Sequence, residues 1–475
     1  MAIALEHNIR VDKSASALLI GTITWAILVL GAPQIYHVDT NLSVQELLES
    51  GTHFLKSLKE FFIYNFQAET SETSTLLNHF VLEELKHHLI EISEILFFLL
   101  GAMTIVELVD AHDGFSIITN RIKTTNKVKL IILLSLITFF FSAALDNLTT
   151  AIVMSALLKK LIKDKSDLWL FAGTIIIAAN AGGAWSPIGD VTTIMLWIGG
   201  QISALSIVQA LVIPSIVCIA VPLIFLSLKL KGNISRPESS EFSEHIVNPA
   251  SEKEKKIVFV LGVVALLFVP IFKSITHLPP FVGILMGLGM IWAVTEVMHR
   301  SKNHEEKNRL SVIGVLRRVD VSSVLFFLGI LMAVASLSSA GHLLILANFL
   351  ETSIGDIYIV NLTIGLLSSI VDNVPLVAGA MGMYEVGPEI AGMSYPMDHK
   401  FWQFLAYCAG TGGSCLIIGS AAGVAVMGIL KIDFMWYLRR ISALALLGYL
   451  SGALTYYLIN AYYYSPATTE VLNQL

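Results

Sequence analysis

Charge is scarce in this chain. Only 14% of its 475 residues are Asp, Glu, Lys or Arg, and 55% are hydrophobic. A soluble globular domain is nearer ~45–50% apolar and ~25% charged, so a large soluble helical core is disfavoured. Cysteine is scarce too. Cys218, Cys408 and Cys415 lie in apolar segments without CxxC or metal-finger spacing; they read as small hydrophobes and give no sign of a redox compartment. No P-loop, dinucleotide fingerprint or HExxH occurs, so nucleotide-driven pumping and zinc proteolysis have no support. The net charge of −6, with basic residues spread over loops, argues against a nucleic-acid partner.

What the chain has in abundance is long apolar runs, and a mean hydropathy of +0.74. Runs of roughly 18 or more apolar residues are long enough to cross a bilayer core. Candidate spans are 14–33, 89–109, 168–200, 203–228, 257–272, 278–298, 321–341, 401–430 and 435–460. The first lacks a short apolar region followed by an A-x-A site and reads as a retained helix. Two further stretches are interrupted, 130–160 by Asp146-Asn147 and 358–384 by Asp372-Asn373.

Excess Lys and Arg marks cytoplasmic loops. The first interrupted stretch has Arg121, Lys123, Lys127 and Lys129 on one flank and Lys159, Lys160, Lys163 and Lys165 on the other. Both flanks therefore face the cytoplasm, and the segment goes in and comes back. The second has only acids around it: Glu351 and Asp356 before, Glu385, Glu389 and Asp398 after. It enters from outside. The acid-rich loop 34–75 falls outside and 229–256 and 299–318 inside. This predicts nine spans and two opposed hairpins, with the N-terminus inside and the C-terminus outside. Short amphipathic surface helices are expected within 34–75, and a mobile Ser/Glu-rich loop around 232–250.

The halves resemble each other. "LFFLLGAM" (96–103) recurs as "LFFLGILM" (325–332), "SAALDNLT" (142–149) as "SSIVDNVP" (368–375), and "GGAWSPIG" (182–189) as "GGSCLIIG" (412–419), in the same order. The expected fold is an all-α polytopic membrane protein of inverted repeats, each with a re-entrant hairpin and a broken helix. Such repeats mark secondary transporters whose site lies near mid-membrane. The expected organisation is an N-terminal span and external segment (1–88), repeat 1 (89–228), a cytoplasmic loop with connecting helices (229–320), inverted repeat 2 (321–460) and a tail (461–475).

Asp146 and Asp372 lie deep in apolar segments, where an ionised carboxylate costs at least ~2.5–3.5 kcal/mol. No Lys or Arg lies mid-span to pair with them. The remaining partners are a proton or a bound cation, and one carboxylate with two exclusive occupants is the physical basis of coupling. Asn147 and Asn373 add amide oxygens, which suit a hard cation such as Na⁺ or Li⁺. The bland alternative is that each Asp only caps the helix that follows. The second breaks, "AANAGGAWSPIGDVTT" (178–193) and "AGTGGSCLIIGSAAG" (409–423), contain helix-unwinding Gly and Pro. Asn180, Ser186, Asp190, Thr192, Thr193 and Ser414 are oxygen donors there; the symmetry fails at Asp190 against Ser420. Glycine-packed helix crossings are the alternative. In the cluster Glu83, Glu84, His87, His88, Glu91 and Glu94, His87 and Glu94 share a helical face. They suit pH sensing or proton access, or simply a solvated face.

"SAALDNLTTAIVM", "VDNVPLVAGAMGM", "NAGGAWSPIGDVTT", "GTGGSCLIIGSAAG" and the opening "LEHNIRVDKSASALL" together resemble the NhaD-type Na⁺/H⁺ antiporters of the ion transporter superfamily. The resemblance covers most of the chain. It implies a scaffold domain, a transport domain and a homodimer in a bacterial-type cytoplasmic membrane. It also implies exchange of Na⁺ or Li⁺ for H⁺ without a cofactor. The site residues it implies are Asp146, Asn147, Asn180, Asp190, Thr192, Thr193, Ser368, Asp372 and Asn373. Cys415 and Ile417 stand where more polar residues are expected. An arsenite- or dicarboxylate-type anion carrier on the same scaffold is the alternative, but an anion site wants basic residues or hydroxyls. An intramembrane aspartyl protease using Asp146 and Asp190 would lack its GxGD signature, because "IGD" has no first glycine.

Overall fold

The computed structural model describes residues 12–38, 73–119, 122–236, 250–390 and 393–463. The surface helices expected within 34–75, most of the loop expected at 232–250 and nearly all of the tail fall outside these. Helices are α1 (Lys13–Ile35), α2 (Thr73–Ala111), α3 (Ser116–Thr119), α4 (Lys127–Leu145), α5 (Asn147–Leu161), α6 (Lys165–Ala184), α7 (Val191–Ile198), α8 (Ala204–Lys229), α9 (Glu252–Thr276) and α10 (Pro280–Met298). They continue as α11 (His304–Leu310), α12 (Val312–Leu316), α13 (Val321–Ser339), α14 (His342–Ser353), α15 (Ile357–Leu367), α16 (Asn373–Met383), α17 (Lys400–Gly412), α18 (Ala421–Leu430), α19 (Phe434–Arg440) and α20 (Ser442–Tyr463). A two-residue parallel pair, β1 (Glu385–Val386) with β2 (Ser394–Tyr395), is the one sheet among the described residues.

Nine of the described helices are long and apolar enough to cross a membrane. The protein is an all-α polytopic membrane protein. The set differs from the nine expected spans: it includes α4, expected as one arm of a hairpin, and no helix from 401–430, which is divided between α17 and α18. Two further elements differ in extent. The expected span 89–109 is the inner part of the 39-residue α2. No Gly or Pro interrupts 73–100, and the His and Glu pairs at helical spacing support the extension. The expected span 435–460 breaks at Ile441. α19 is bent 117° from α18 and ends in Arg439 and Arg440, so a straight span would carry two guanidinium groups inward. Trp436 of α19 packs edge-on against Trp169, whose indole donates to Leu430 O.

The chain divides into two compact units. The first draws on residues 1–96, 321–355 and 378–395. Here α1 lies on α13. A Cβ at Gly329 would overlap the backbone of Ala17 and Leu18, so the helices approach only because that residue is glycine. Trp25 Nε1 donates to Met332 O at 2.9 Å and Tyr36 OH to Ser339 O at 3.1 Å, joining the same helices.

The second unit draws on 97–320, 356–377 and 396–475 and contains the breaks. The path of α4 and α5 is fixed at their outer ends. Lys127 N donates to Gly232 O at 3.1 Å, Ile234 N to Thr125 O at 2.8 Å, and Lys163 N to Ser235 O at 2.9 Å. The start of α4 and the end of α5 are thus tied to one short extended segment. Two helices of 19 and 15 residues meeting the same segment run antiparallel, with Asp146 at the tip. At 1.5 Å per residue the tip lies roughly 22–28 Å from those ends. Residues 368–372 separate α15 from α16; α6 is followed by a non-helical stretch before α7, and α17 by one turn of 3-10 helix (Gly413–Cys415) and then a non-helical stretch before α18.

The two halves repeat one another in detail. Ser142 Oγ donates to Ala179 O, and Ser368 Oγ to Ala409 O. Gly182 lies against Phe139 O, and Gly412 against Gly365 O, each too close to admit a Cβ. Asp190 caps α7 with φ −147° and ψ 147°, and Ser420 caps α18 with φ −142° and ψ 151°.

Candidate cation site

The unwound stretch after α6 ends at Asp190, whose side chain is 1% exposed. One carboxylate oxygen, Oδ1, accepts Thr192 N and Thr192 Oγ1, both at 2.9 Å. These are the bonds of an N-cap, and the helix start itself favours negative charge. The other oxygen, Oδ2, accepts Asn147 Nδ2 from the first tip at 2.5 Å. Asn373 Nδ2, from the second break, approaches both oxygens at 3.4 and 3.5 Å. A single carboxylate therefore sits between amides from both interrupted segments.

A second layer ties this group to the other repeat. Asn180 Oδ1 accepts Asn147 Nδ2 at 3.2 Å. Its own Nδ2 donates to Ser414 Oγ and Ser420 Oγ, both at 2.9 Å. Asn180 is fully buried, and its amide is satisfied on both sides. Among the described residues the ion pairs lie elsewhere, such as Lys127 with Asp167 and Lys255 with Asp113, and none includes Asp190. No cluster of three or more His, Cys, Asp or Glu side chains suited to a metal occurs among the described residues. The arrangement is one carboxylate hydrogen-bonded by a cage of amides and hydroxyls.

The sequence-derived candidates divide accordingly. Asn147, Asn180, Asp190, Thr192, Asn373 and Ser414 come together. Asp146 stands at the first tip, where its oxygens accept Thr149 N and Thr149 Oγ1, both at 2.8 Å, and so cap α5. Asp372 adjoins Asn373 and accepts Val374 N at 3.3 Å. Ser186 donates to Ala143 O, Ser368 to Ala409 O and Thr193 to Asp190 O, so these three hold backbone in place. His87 is exposed and pairs with Glu91 at 3.5 Å on the face of α2; Glu94 lies two turns further along that helix. Ser420 was not among the expected ligands. Its signal was its position opposite Asp190 in the repeat.

A family model described as a citrate transporter matches residues 1–399. "Sodium/proton antiporter 1" of Arabidopsis thaliana is 45% identical over 424 residues, 89% of this chain and 70% of that protein. "Na(+)/H(+) antiporter NhaD" of Vibrio cholerae is 33% identical over 406 residues, 80% of each chain. The chain belongs to the NhaD-type antiporter family. Membership makes it a secondary transporter rather than an enzyme.

Proposed function

We propose that this protein exchanges Na⁺ or Li⁺ for H⁺ across its membrane, with Asp190 as the carboxylate that binds either cation or proton. The names of the relatives support the ions. The observation that carries the mechanism is the meeting of Asp190 with Asn147 and Asn373 and with no Lys or Arg. A carboxylate buried in this way needs a neutralising partner, and a proton and Na⁺ compete for the same oxygens. Amide side chains suit both states. Each presents N–H groups to the bare carboxylate, and a half-turn of the amide presents oxygen to a bound cation. Asp146 and Asp372, each one residue before a cage asparagine, supply charge at the two tips and conduct ions and protons to and from the cage.

Alternating access follows if the second unit, which holds the cage, moves as the transport domain while the first serves as scaffold. The working assembly on this reading is a homodimer, with the N-terminus and the basic loops inside. Cysteines placed at Lys129 and Lys163 are expected to react only with cytoplasmic reagents.

The test is collapse of a preset ΔpH on adding NaCl or LiCl to reconstituted vesicles. Asp190→Asn, nearly isosteric but unable to ionise, is expected to insert normally and abolish the response. Near-normal exchange in that variant overturns the assignment. The family model's description raises the citrate reading. A trianion in this cage would meet a carboxylate, so citrate counterflow in the same vesicles is expected to be absent.

A further inference from the structure

Away from the cage, the second unit buries two histidines against each other. His112 follows the end of α2 and His299 caps the end of α10. Their exposures are 0% and 1%. The rings stack at 17° with centroids 5.0 Å apart, and the two Nε2 atoms are 3.1 Å apart. His112 Nδ1 lies 2.7 Å from Leu108 O.

These contacts fix the protons. A carbonyl only accepts, so His112 Nδ1 carries hydrogen and its Nε2, when neutral, is an acceptor. His299 Nε2 must then donate. One extra proton fits, on His299 Nδ1, because His299 Nε2–H still donates. A second has only His112 Nε2 to occupy, and that sets N–H against N–H between two stacked cations. The surrounding charges are already paired. Glu254 of α9 binds Lys302 at 3.0 Å, Glu296 of α10 binds Lys307 at 2.7 Å, and Asp113 binds Lys255 at 2.8 Å. No unpaired carboxylate among these holds the rings charged.

We propose that His112 and His299 form a second proton-binding site, a latch that joins the ends of α2 and α10 until both rings are protonated and then releases them. In its effect on transport this rests on the exchange reading above. Its consequence is that acidification on the side bearing the basic loops slows exchange. His112 precedes the first hairpin, and His299 lies in the connection that leaves the second unit at Asp320, so release loosens both connections. The pH window follows from burial, which pushes His112 down to about 4 and His299 down in the same direction. An imidazole lowered in the packed state stabilises packing fully above its ordinary value of ~6.5 and loses that contribution as pH falls below it.

The test uses the full-length protein with His112→Gln, His299→Gln and the double variant. Hydrogen exchange of peptides spanning 105–115 and 294–302, corrected for intrinsic rate, is read at pH 8 and 5.5. Wild type is expected to lose protection at least about tenfold at the lower pH, as two linked protons allow, and the double variant to show no such change. The acid limb of the Na⁺-dependent rate is expected to move down by about one pH unit in the double variant. Equal pH dependence of protection in wild type and double variant overturns the latch, whatever the transport result. Loss of transport in Asp190→Asn tests the exchange reading separately. Protection that responds to added Zn²⁺ but not to pH would make the pair a metal site and also overturn the proposal.

Discussion

The side-chain amide of Asn147 and the carboxylate of Asp190, 43 residues apart in the chain, meet at 2.5 Å. The first belongs to a hairpin tip and the second to the start of a half-helix, so the contact exists only when the hairpin reaches the break. Asn147 also donates to Asn180. Asn147→Ala removes both bonds. On the exchange reading it also removes the amide oxygen that turns to a bound cation, an oxygen ligand that nothing else at this position replaces. The half-saturating Na⁺ concentration for ΔpH dissipation is expected to rise about 10- to 100-fold, with Asn147→Gln less impaired than Asn147→Ala. An unchanged Na⁺ dependence would remove Asn147 from the cage.

Asp146 separates capping from charge. Its backbone sits at φ 80°, ψ 158°, a region favourable to glycine and strained by about 1–3 kcal/mol for other residues. The side chain held there makes both capping bonds to Thr149. Asp146→Gly relieves the strain and loses a cap worth about 0.5–2 kcal/mol, so thermal stability is expected to change little. Asp146→Asn keeps a capping oxygen. Both are expected to lower Na⁺-dependent exchange at least about tenfold, since removing an intramembrane carboxylate alters the ion path itself. Full exchange in both would leave Asp146 as a cap alone.

Much of this was legible in the sequence because membrane burial leaves a blunt record. Charges excluded from apolar runs located the spans, and the paired Asp-Asn dipeptides located both breaks. Which acid stands at the centre was not legible. Asp146 and Asp372 looked equivalent to each other and more prominent than Asp190, because the repeat duplicates them. Both Asp146 and Asp190 cap a helix, but Asp146 turns both oxygens toward Thr149, whereas Asp190 caps with Oδ1 and offers Oδ2 to the amide of Asn147. The split at Ile441 was hidden in another way. Arg439 and Arg440 were bridged by the apolar residues on either side of them, although two adjacent guanidinium groups mark the place where α19 ends.

Gly329 and Gly289 make a matched pair for testing helix approach. A methyl at Gly329 would collide with the backbone of Ala17 and Leu18, whereas nothing lies within 4 Å of one at Gly289. Overpacking of this kind costs typically about 1–3 kcal/mol. Gly329→Ala is expected to lower the melting temperature of the detergent-solubilised protein, and Gly289→Ala to leave it level or raise it slightly, as Gly→Ala in a helix favours folding by up to ~1 kcal/mol. Equal melting temperatures would mean that α1 and α13 do not pack through this glycine.

Lys273 bears on the cage from the far end of α7. That helix has only eight residues, with Asp190 at its start. Lys273 Nζ donates to Trp197 O at 2.9 Å and lies 4.7 Å from the Trp197 ring centroid. The last carbonyls of a helix have no partners within it, and a cation there opposes the negative end of the dipole. With the carboxylate at one end and the ammonium at the other, α7 is held at both termini, and its position sets the distance from Asp190 to Asn147. Lys273→Met leaves Trp197 O without this donor and frees the end of α7. A cation at a partly buried helix terminus is worth up to ~2 kcal/mol, so half-saturating Na⁺ is expected to rise several-fold, by no more than about 30-fold, with the maximal rate less affected. Lys273→Arg, which can still donate to the carbonyl and lie over the indole, is expected to restore the affinity. A loss of insertion in both variants points to a folding role. Unaltered Na⁺ dependence in Lys273→Met would show that α7 is positioned by its N-terminal bonds alone.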